Sequence, residues 1–212
     1  MDGVLIEGEE VWDAVREQLV RERGGRWAAG AQAAMMGMSS PEWSRYMAGE
    51  LGVPMEPAAI SSETVARVAA RYRQALPLVD GAVEVATALA GRWPLGLASS
   101  ANRPIIALVL DTAGLAGCFG ATVSSEEVAR GKPAAAVYLE AAARLGVPPE
   151  RCAAVEDSAN GLRSAAAAGM WVVAVPNRRY PPPAELVQAA DLVLNDLREL
   201  SPAAIERLGS GS

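Results

Sequence analysis

The sequence predicts an α/β fold: a doubly wound parallel sheet into which a block of helices is inserted near the N-terminus. Two observations carry this. From residue 9 to about residue 90, apolar residues recur at helical spacing with no strand-like alternation. After Trp93, short apolar runs that end in small, polar or acidic residues alternate with helical stretches. Such runs, each followed by a helix, build parallel sheets covered on both faces. At 212 residues the chain has room for one core domain and a smaller insertion.

The first helix is written in EEVWDAVREQLVRER (9–23), which sets Val11, Trp12, Val15, Leu19 and Val20 near one face with charges opposite; RGG ends it. SSPEW (39–43) supplies a serine cap, a proline in the first turn, and Glu42 to complete a capping box with Ser39. Another helix is expected from about residue 62 to 75, and one more opens at Asp80, which is placed to N-cap it. The expected strands are PLGLASS (94–100), CAAVED (152–157), WVVAVPN (171–177) and DLVLND (191–196), with a short one at Thr122 and Val123. Helices NRPIIALVLDTAG (102–114), AAAVYLEAAARLG (134–146) and NGLRSAAAAGM (160–170) separate them. The expected division is a core of residues 1–8 and 79–208, a helical block of 9–78 hinged at 7–10 and 76–81, and a flexible tail or expression remnant at 209–212.

A net charge of -6 argues against a nucleic-acid footprint, which needs Lys/Arg-rich faces. No run of about 18 uncharged apolar residues is present, so no membrane span is expected. No basic leader precedes an apolar stretch, so a secretory signal is not expected either. Cys118 and Cys152 have no CxxC spacing and the chain has no histidine, so they read as reduced thiols of a cytoplasmic protein rather than a zinc site. Of 19 basic residues, only Lys132 is a lysine. An otherwise arginine-rich composition thus keeps one compact ammonium inside ARGKP.

Ligands of open α/β sheets bind beyond the carboxyl ends of the strands. PLGLASSANR delivers Ser99 and Ser100 just before a helix, where hydroxyls and free N–H groups can hold a phosphate. ARGKP delivers Lys132, AAVEDSANG delivers Glu156 and Asp157, and the opening MDG delivers Asp2. A hydroxyl, a lysine and three carboxylates suit Mg²⁺-assisted phosphoryl transfer: oxygen ligands hold the cation while the ammonium and helix N-terminus neutralise phosphoryl oxygens. Taken singly, Ser99 reads equally well as a helix cap, Glu156–Asp157 as a solvated turn and Asp2 as a frayed end.

In this order the motifs resemble the haloacid dehalogenase-like hydrolase superfamily. The likeness is to its branch with a small α-helical cap, which includes β-phosphoglucomutase and many sugar-phosphate phosphatases. DGVL, the helical block, LASS, GKP and VEDSANG all stand in family order. The resemblance implies a Rossmann-like core under an inserted cap, and a D-x-D-G motif at the end of a central first strand. The first aspartate of that motif attacks phosphorus, and the second protonates the leaving group and then activates water. Asp2 matches the second aspartate, whose backbone carbonyl also binds the metal; Ser99 matches the phosphate-binding hydroxyl, Lys132 the phosphate-neutralising lysine, and Glu156 and Asp157 the Mg²⁺ carboxylates. The nucleophile would stand one residue before Met1, on an apolar strand that is also missing. The expectation is therefore a natural protein that begins about 5 to 15 residues upstream, with the chain as given inactive or weak.

The single lysine already fills the core role, which argues against a phosphonate-cleaving relative. The absence of histidine argues against a β-phosphoglucomutase-like mutase, and Asp2-Gly3 against a dehalogenase. Hydrolysis of a phosphomonoester of a small phosphorylated metabolite, a sugar phosphate above all, is the preferred reading. A phosphosugar mutase and a nucleophile-less binding or regulatory homologue are the alternatives. A receiver-like signalling domain would place its lysine after the other site residues and lacks such an insertion. MMGMSSPEWSRY (35–46) is the candidate specificity surface, with Ser39, Ser40, Trp43 and Arg45 facing a polar leaving group; Trp43 and Met47, at i and i+4, read at least as well as core. Two departures stand out: Ala134–Ala135 replace the usual Pro-Asp after the lysine motif, and the second hinge reads LVDG. A monomer is favoured over an oligomer.

Overall fold

The computed structural model describes residues 1–35 and 38–208. The tail at 209–212, and Met36 and Gly37 of the candidate specificity segment, lie outside the described residues. Four helices come first among the described residues: α1 (Glu9–Glu22), α2 (Ala31–Met35), α3 (Ser40–Gly49) and α4 (Pro57–Gln74). On α1 four of the five residues that the periodicity places on one face are buried, Trp12, Val15, Leu19 and Val20, while Val11 is half-buried and Arg16, which the periodicity leaves out, is buried. The α3 start is fixed by Glu42, whose carboxylate accepts from the backbone N and the hydroxyl of Ser39 at 2.7 and 2.6 Å. Helix α4 begins about a turn earlier than expected, because Pro57 occupies the first turn, where its fixed φ suits a helix and its missing N–H costs nothing.

The segment after α4 leads into α5 (Ala82–Ala90), whose cap is Gly81 at φ +79° rather than Asp80, with no side-chain cap bond. The left-handed φ strongly favours glycine, and a Cβ there would meet the Arg198 side chain at 2.5 Å. From here strands and helices alternate: β1 (Leu95–Ser99), α6 (Arg103–Thr112), β2 (Phe119–Ser124), α7 (Ala136–Leu145), β3 (Ala153–Glu156), α8 (Ala159–Ala167), β4 (Trp171–Ala174), α9 (Ala184–Gln188), β5 (Leu192–Val193) and α10 (Pro202–Leu208). The strand expected at Thr122 and Val123 is longer than foreseen and starts at Phe119.

Every ladder is parallel: β1 pairs β2 with Ser99 opposite Ser124, β3 pairs β4 with Glu156 opposite Ala174, and β4 pairs β5. The strands form a two-stranded and a three-stranded sheet, with no ladder between β1 and β3 among the described residues. A cavity of about 980 Å³ lies there, lined by Leu95, Leu97 and Ala98 of β1, Ala154 and Val155 of β3, and Val85 and Leu89 of α5. Met1 and Val4 also line it. The first residues form a tight turn in which the Met1 carbonyl accepts from Val4 and Leu5 and the Gly3 N–H donates to Ile6 O at 2.7 Å.

One hydrophobic cluster joins the early helices to the core through Trp12, Leu19, Trp43, Met47, Ile60, Val68, Ile105 and Val109. A second, with Val123, Val137, Ala165 and Val172, packs α7 and α8 on the sheets. Each fully buried large aliphatic side chain contributes about 1.5–3 kcal/mol. No helix among the described residues is long and apolar enough to cross a membrane.

Candidate active site

The carboxyl ends of β1 and β3 and the loop after β2 converge on one floor. Ser99 closes β1, is buried, and its Oγ accepts from the Ala101 N–H at 3.1 Å, which shapes the turn into α6. Ser100 is half-buried beside it. The Asn102 side-chain amide, one residue before α6, donates to Glu126 at 2.6 Å. Lys132 reaches in from its loop, donates to the Ala98 carbonyl at 3.1 Å, pairs with the Glu156 carboxylate, and lies 5.0 Å from the centroid of the Tyr138 ring. The Tyr138 hydroxyl donates to the same Glu156 Oε1 at 2.5 Å. Replacement of the usual Pro-Asp by Ala134–Ala135 therefore leaves Lys132 fixed by other means.

Glu156 and Asp157 are 4% and 8% exposed, which rules out a solvated turn. Ser158 caps α8 by accepting from Gly161 N at 3.1 Å, and Asn177 donates to Asp157 Oδ2 at 3.2 Å. Two glycines make room: a Cβ on Gly161 would stand 1.8 Å from Glu156 Oε2, and one on Gly3, at φ +74°, 1.8 Å from Asp157 Oδ2. The N-terminal turn is thus pressed against Asp157. The Oδ1 of Asp2 is buried without a hydrogen-bond partner; a Cβ on Gly8 would sit 2.2 Å from it and 2.4 Å from the Tyr72 hydroxyl.

Burial pushes the Glu156 carboxyl up, but the charges of Lys132 and of the Met1 amino group, then the bonds from Lys132 and Tyr138, more than offset this, and it ends below the usual range. Burial and the adjacent Glu156 charge push Asp157 up to about 6, against the chain's amino group and Asn177. Burial also raises Asp2. The Met1 amino group is itself lowered by burial and by Lys132, with Asp2, Glu156 and Asp157 acting the other way. It therefore sits within this charge cluster.

Above the floor is a cavity of about 450 Å³. Met1, Asp2, Ser99, Ser100, Lys132, Glu156 and Asp157 line it from the core, and Glu9, Trp12, Arg16, Ser40 and Trp43 from the helices. All the core residues singled out in the sequence meet here. Of the candidate specificity residues, Ser40 and Trp43 line the cavity; Ser39 is engaged with Glu42 and Arg45 is exposed, and neither lines it. Trp43 and Met47 are both buried core residues, Trp43 with one face on the cavity. Sequence reading missed Tyr138, Asn177, Glu9, Trp12 and Arg16. Asn177 stands three residues past the end of β4, within reach of the strand-end rule; Tyr138 stands at core-like helical spacing and gives no such signal.

Two buried carboxylates, Glu156 and Asp157, fit a small hard cation that keeps several water ligands and takes others from a substrate phosphate. Among the described residues no group of three or more His, Cys, Asp or Glu side chains is placed to hold a metal, so an all-side-chain cage is not what this floor provides.

The haloacid dehalogenase-like hydrolase family model matches residues 1–169. Hexitol phosphatase B of Escherichia coli K12 is 32% identical over 210 residues, spanning 95% of this chain and 91% of its own. The probable pseudouridine-5'-phosphatase of Drosophila melanogaster is 31% identical over 209 residues, spanning 95% of this chain and 89% of its own. The crystal structure of CbbY from Rhodobacter sphaeroides in complex with phosphate matches with a TM-score of 0.85 at 25% identity, covering 97% of this chain and 96% of that one. The matched span runs from Asp2 past Glu156 and Asp157, so motif, fold and relatives agree on one assignment: the chain belongs to the haloacid dehalogenase-like hydrolases.

Proposed function

We propose that the protein is a Mg²⁺-dependent phosphomonoester hydrolase acting on a small phosphorylated metabolite, a sugar phosphate above all. The observation that carries this is the convergence of Ser99, Lys132, Glu156, Asp157 and Asp2 on one cavity beneath Trp12 and Trp43. Relatives named as phosphatases and a neighbour that holds phosphate support it. Ser99, Ser100 and the N–H groups entering α6 would hold the phosphoryl oxygens, with Lys132 balancing their charge. Glu156, Asp157 and the Asp2 carbonyl would hold Mg²⁺, which supplies charge neutralisation at the phosphoryl group. Residues 9–78 would act as a cap that excludes water from the site.

The nucleophile in this reading is an aspartate joined to the Met1 nitrogen, at the C-terminal end of a strand that fills the slot between β1 and β3. The parallel strands on either side of the slot and the presence of Met1 in its lining support this. The aspartate carboxylate forms a bond to phosphorus as the ester P–O bond breaks, and Asp2 gives its proton to the departing oxygen. Asp2 then takes a proton from water, whose oxygen displaces the aspartate and releases phosphate. A cytoplasmic location accords with two free cysteines.

The test is the N-terminal peptide of the native protein by mass spectrometry, followed by assay of an extended chain on p-nitrophenyl phosphate. The reading expects an aspartate directly before Met1, and turnover that EDTA abolishes and that changing this aspartate to asparagine removes. Another residue at that position, or an extended chain without turnover, would overturn it and favour a binding role.

A further inference from the structure

Helix α1 carries a charged residue on its buried face. Arg16 is 6% exposed, and its guanidinium carbon lies 5.0 Å from the Trp12 ring centroid and 4.9 Å from that of Trp43. The two rings meet edge to face, with centroids 6.2 Å apart and planes at 64°, and form a corner around the guanidinium. All three side chains line the cavity over Ser99 and Lys132.

Ring faces attract a guanidinium but do not satisfy its N–H groups. Arg16 Nε has no hydrogen-bond partner. Glu9, the carboxylate that acts most strongly on Arg16, instead accepts from Gln32 at 3.1 Å. Burial lowers the Arg16 pKa to about 10 against the pull of Glu9, Asp13, Asp2 and Tyr72, so the group stays cationic at neutral pH. A buried cation without a hydrogen-bonded anion is costly. Its planar fork matches a carboxylate or phosphate.

We propose that Arg16 receives a second anionic group of the substrate, so that the preferred esters carry a carboxylate or second phosphate on the leaving group. This rests on the phosphatase reading above and narrows its substrate class. The leaving group would extend from the phosphate subsite at Ser99 and Lys132 toward the corner of Trp12 and Trp43.

Isothermal titration calorimetry on the 212-residue chain tests this with two matched pairs that differ by carboxylate against hydroxymethyl: 3-phosphoglycerate with glycerol 3-phosphate, and 6-phosphogluconate with glucitol 6-phosphate. Orthophosphate probes the core subsite alone. The carboxylate member of at least one pair should bind about tenfold or more tighter. Arg16→Gln should bring that ratio near one, and Arg16→Lys should keep part of it. A ratio near one in the unaltered chain overturns the proposal whether or not the variants fold, and so does a ratio that survives Arg16→Gln. If orthophosphate binds while the ratio is one, only this inference fails. If neither orthophosphate nor any ester binds, the phosphate site fails and takes the inference with it.

Discussion

On the floor of the cavity Glu156 accepts from both Lys132 and Tyr138, and Asn177 donates to Asp157. On the facing side Arg16 Nε is buried without a partner, as are Asp2 Oδ1 at the N-terminal turn and, outside the cavity lining, the Tyr72 hydroxyl of α4. The same cavity thus has a paired Lys132–Glu156 cluster in its floor and, in Arg16, an unpaired charge in its roof. A paired floor is rigid before substrate arrives, which suits phosphate positioning. An unpaired roof has free bonding capacity, which suits recognition of whatever the phosphate is attached to.

Breaking the floor should therefore cost far more than editing the roof. Lys132→Met strands the Glu156 carboxylate and should destabilise the fold by about 3–5 kcal/mol at pH 7, while adding Glu156→Gln should recover about 2 kcal/mol or more. Urea midpoints of the two single variants and the double variant measure this. Tyr138→Phe removes one hydrogen bond to a charged acceptor and should cost about 1.5–3 kcal/mol in the same assay.

Glu9 probes the boundary between the two walls through pH. Burial, then Asp2, pushes its carboxyl from 4.5 up to about 7, so between those values the folded chain holds a proton that the unfolded chain has released. Stability contributed by this group falls as pH rises from about 4.5 to 7 and is flat above. Glu9→Gln should leave stability at pH 4 nearly unchanged and add about 1–3 kcal/mol at pH 8. Equal effects at both pH values would contradict the assignment. The smallest change is expected from Tyr72→Phe: removal of a hydroxyl with no partner at hydrogen-bond geometry should alter stability by about 0.5 kcal/mol or less, or raise it. A loss comparable to that of Tyr138→Phe would show that the roof is as tightly paired as the floor.

The floor was legible because two of its residues end apolar strands, Ser99 after GLA and Glu156 after AAV, and the third, Lys132, is the lone lysine. The roof was not, because its meaning depends on a meeting of distant segments. Arg16 follows Val15 on α1 and reads as the start of the charged face until Trp43 of α3 closes over it. Tyr138 was indistinguishable from a packing aromatic, since only the tertiary fold brings Glu156 to its hydroxyl. The helix boundaries that shifted, at Pro57 and Gly81, did so where backbone geometry outweighed side-chain pattern. Division of the strands into two sheets lies beyond periodicity altogether, because apolar runs reveal strands and not their neighbours.

Lys132 is the one lysine in the chain, and its ammonium lies in the charge cluster with Glu156. Amine-selective acylation of side chains therefore has one target, and it faces the cavity. A single intact-mass spectrum would report whether the site is filled, because a bound anion shields Lys132 while every other cation, being arginine, stays silent. The exterior offers such reagents no handle for tethering or cross-linking, so the protein is its own occupancy sensor without a label being introduced.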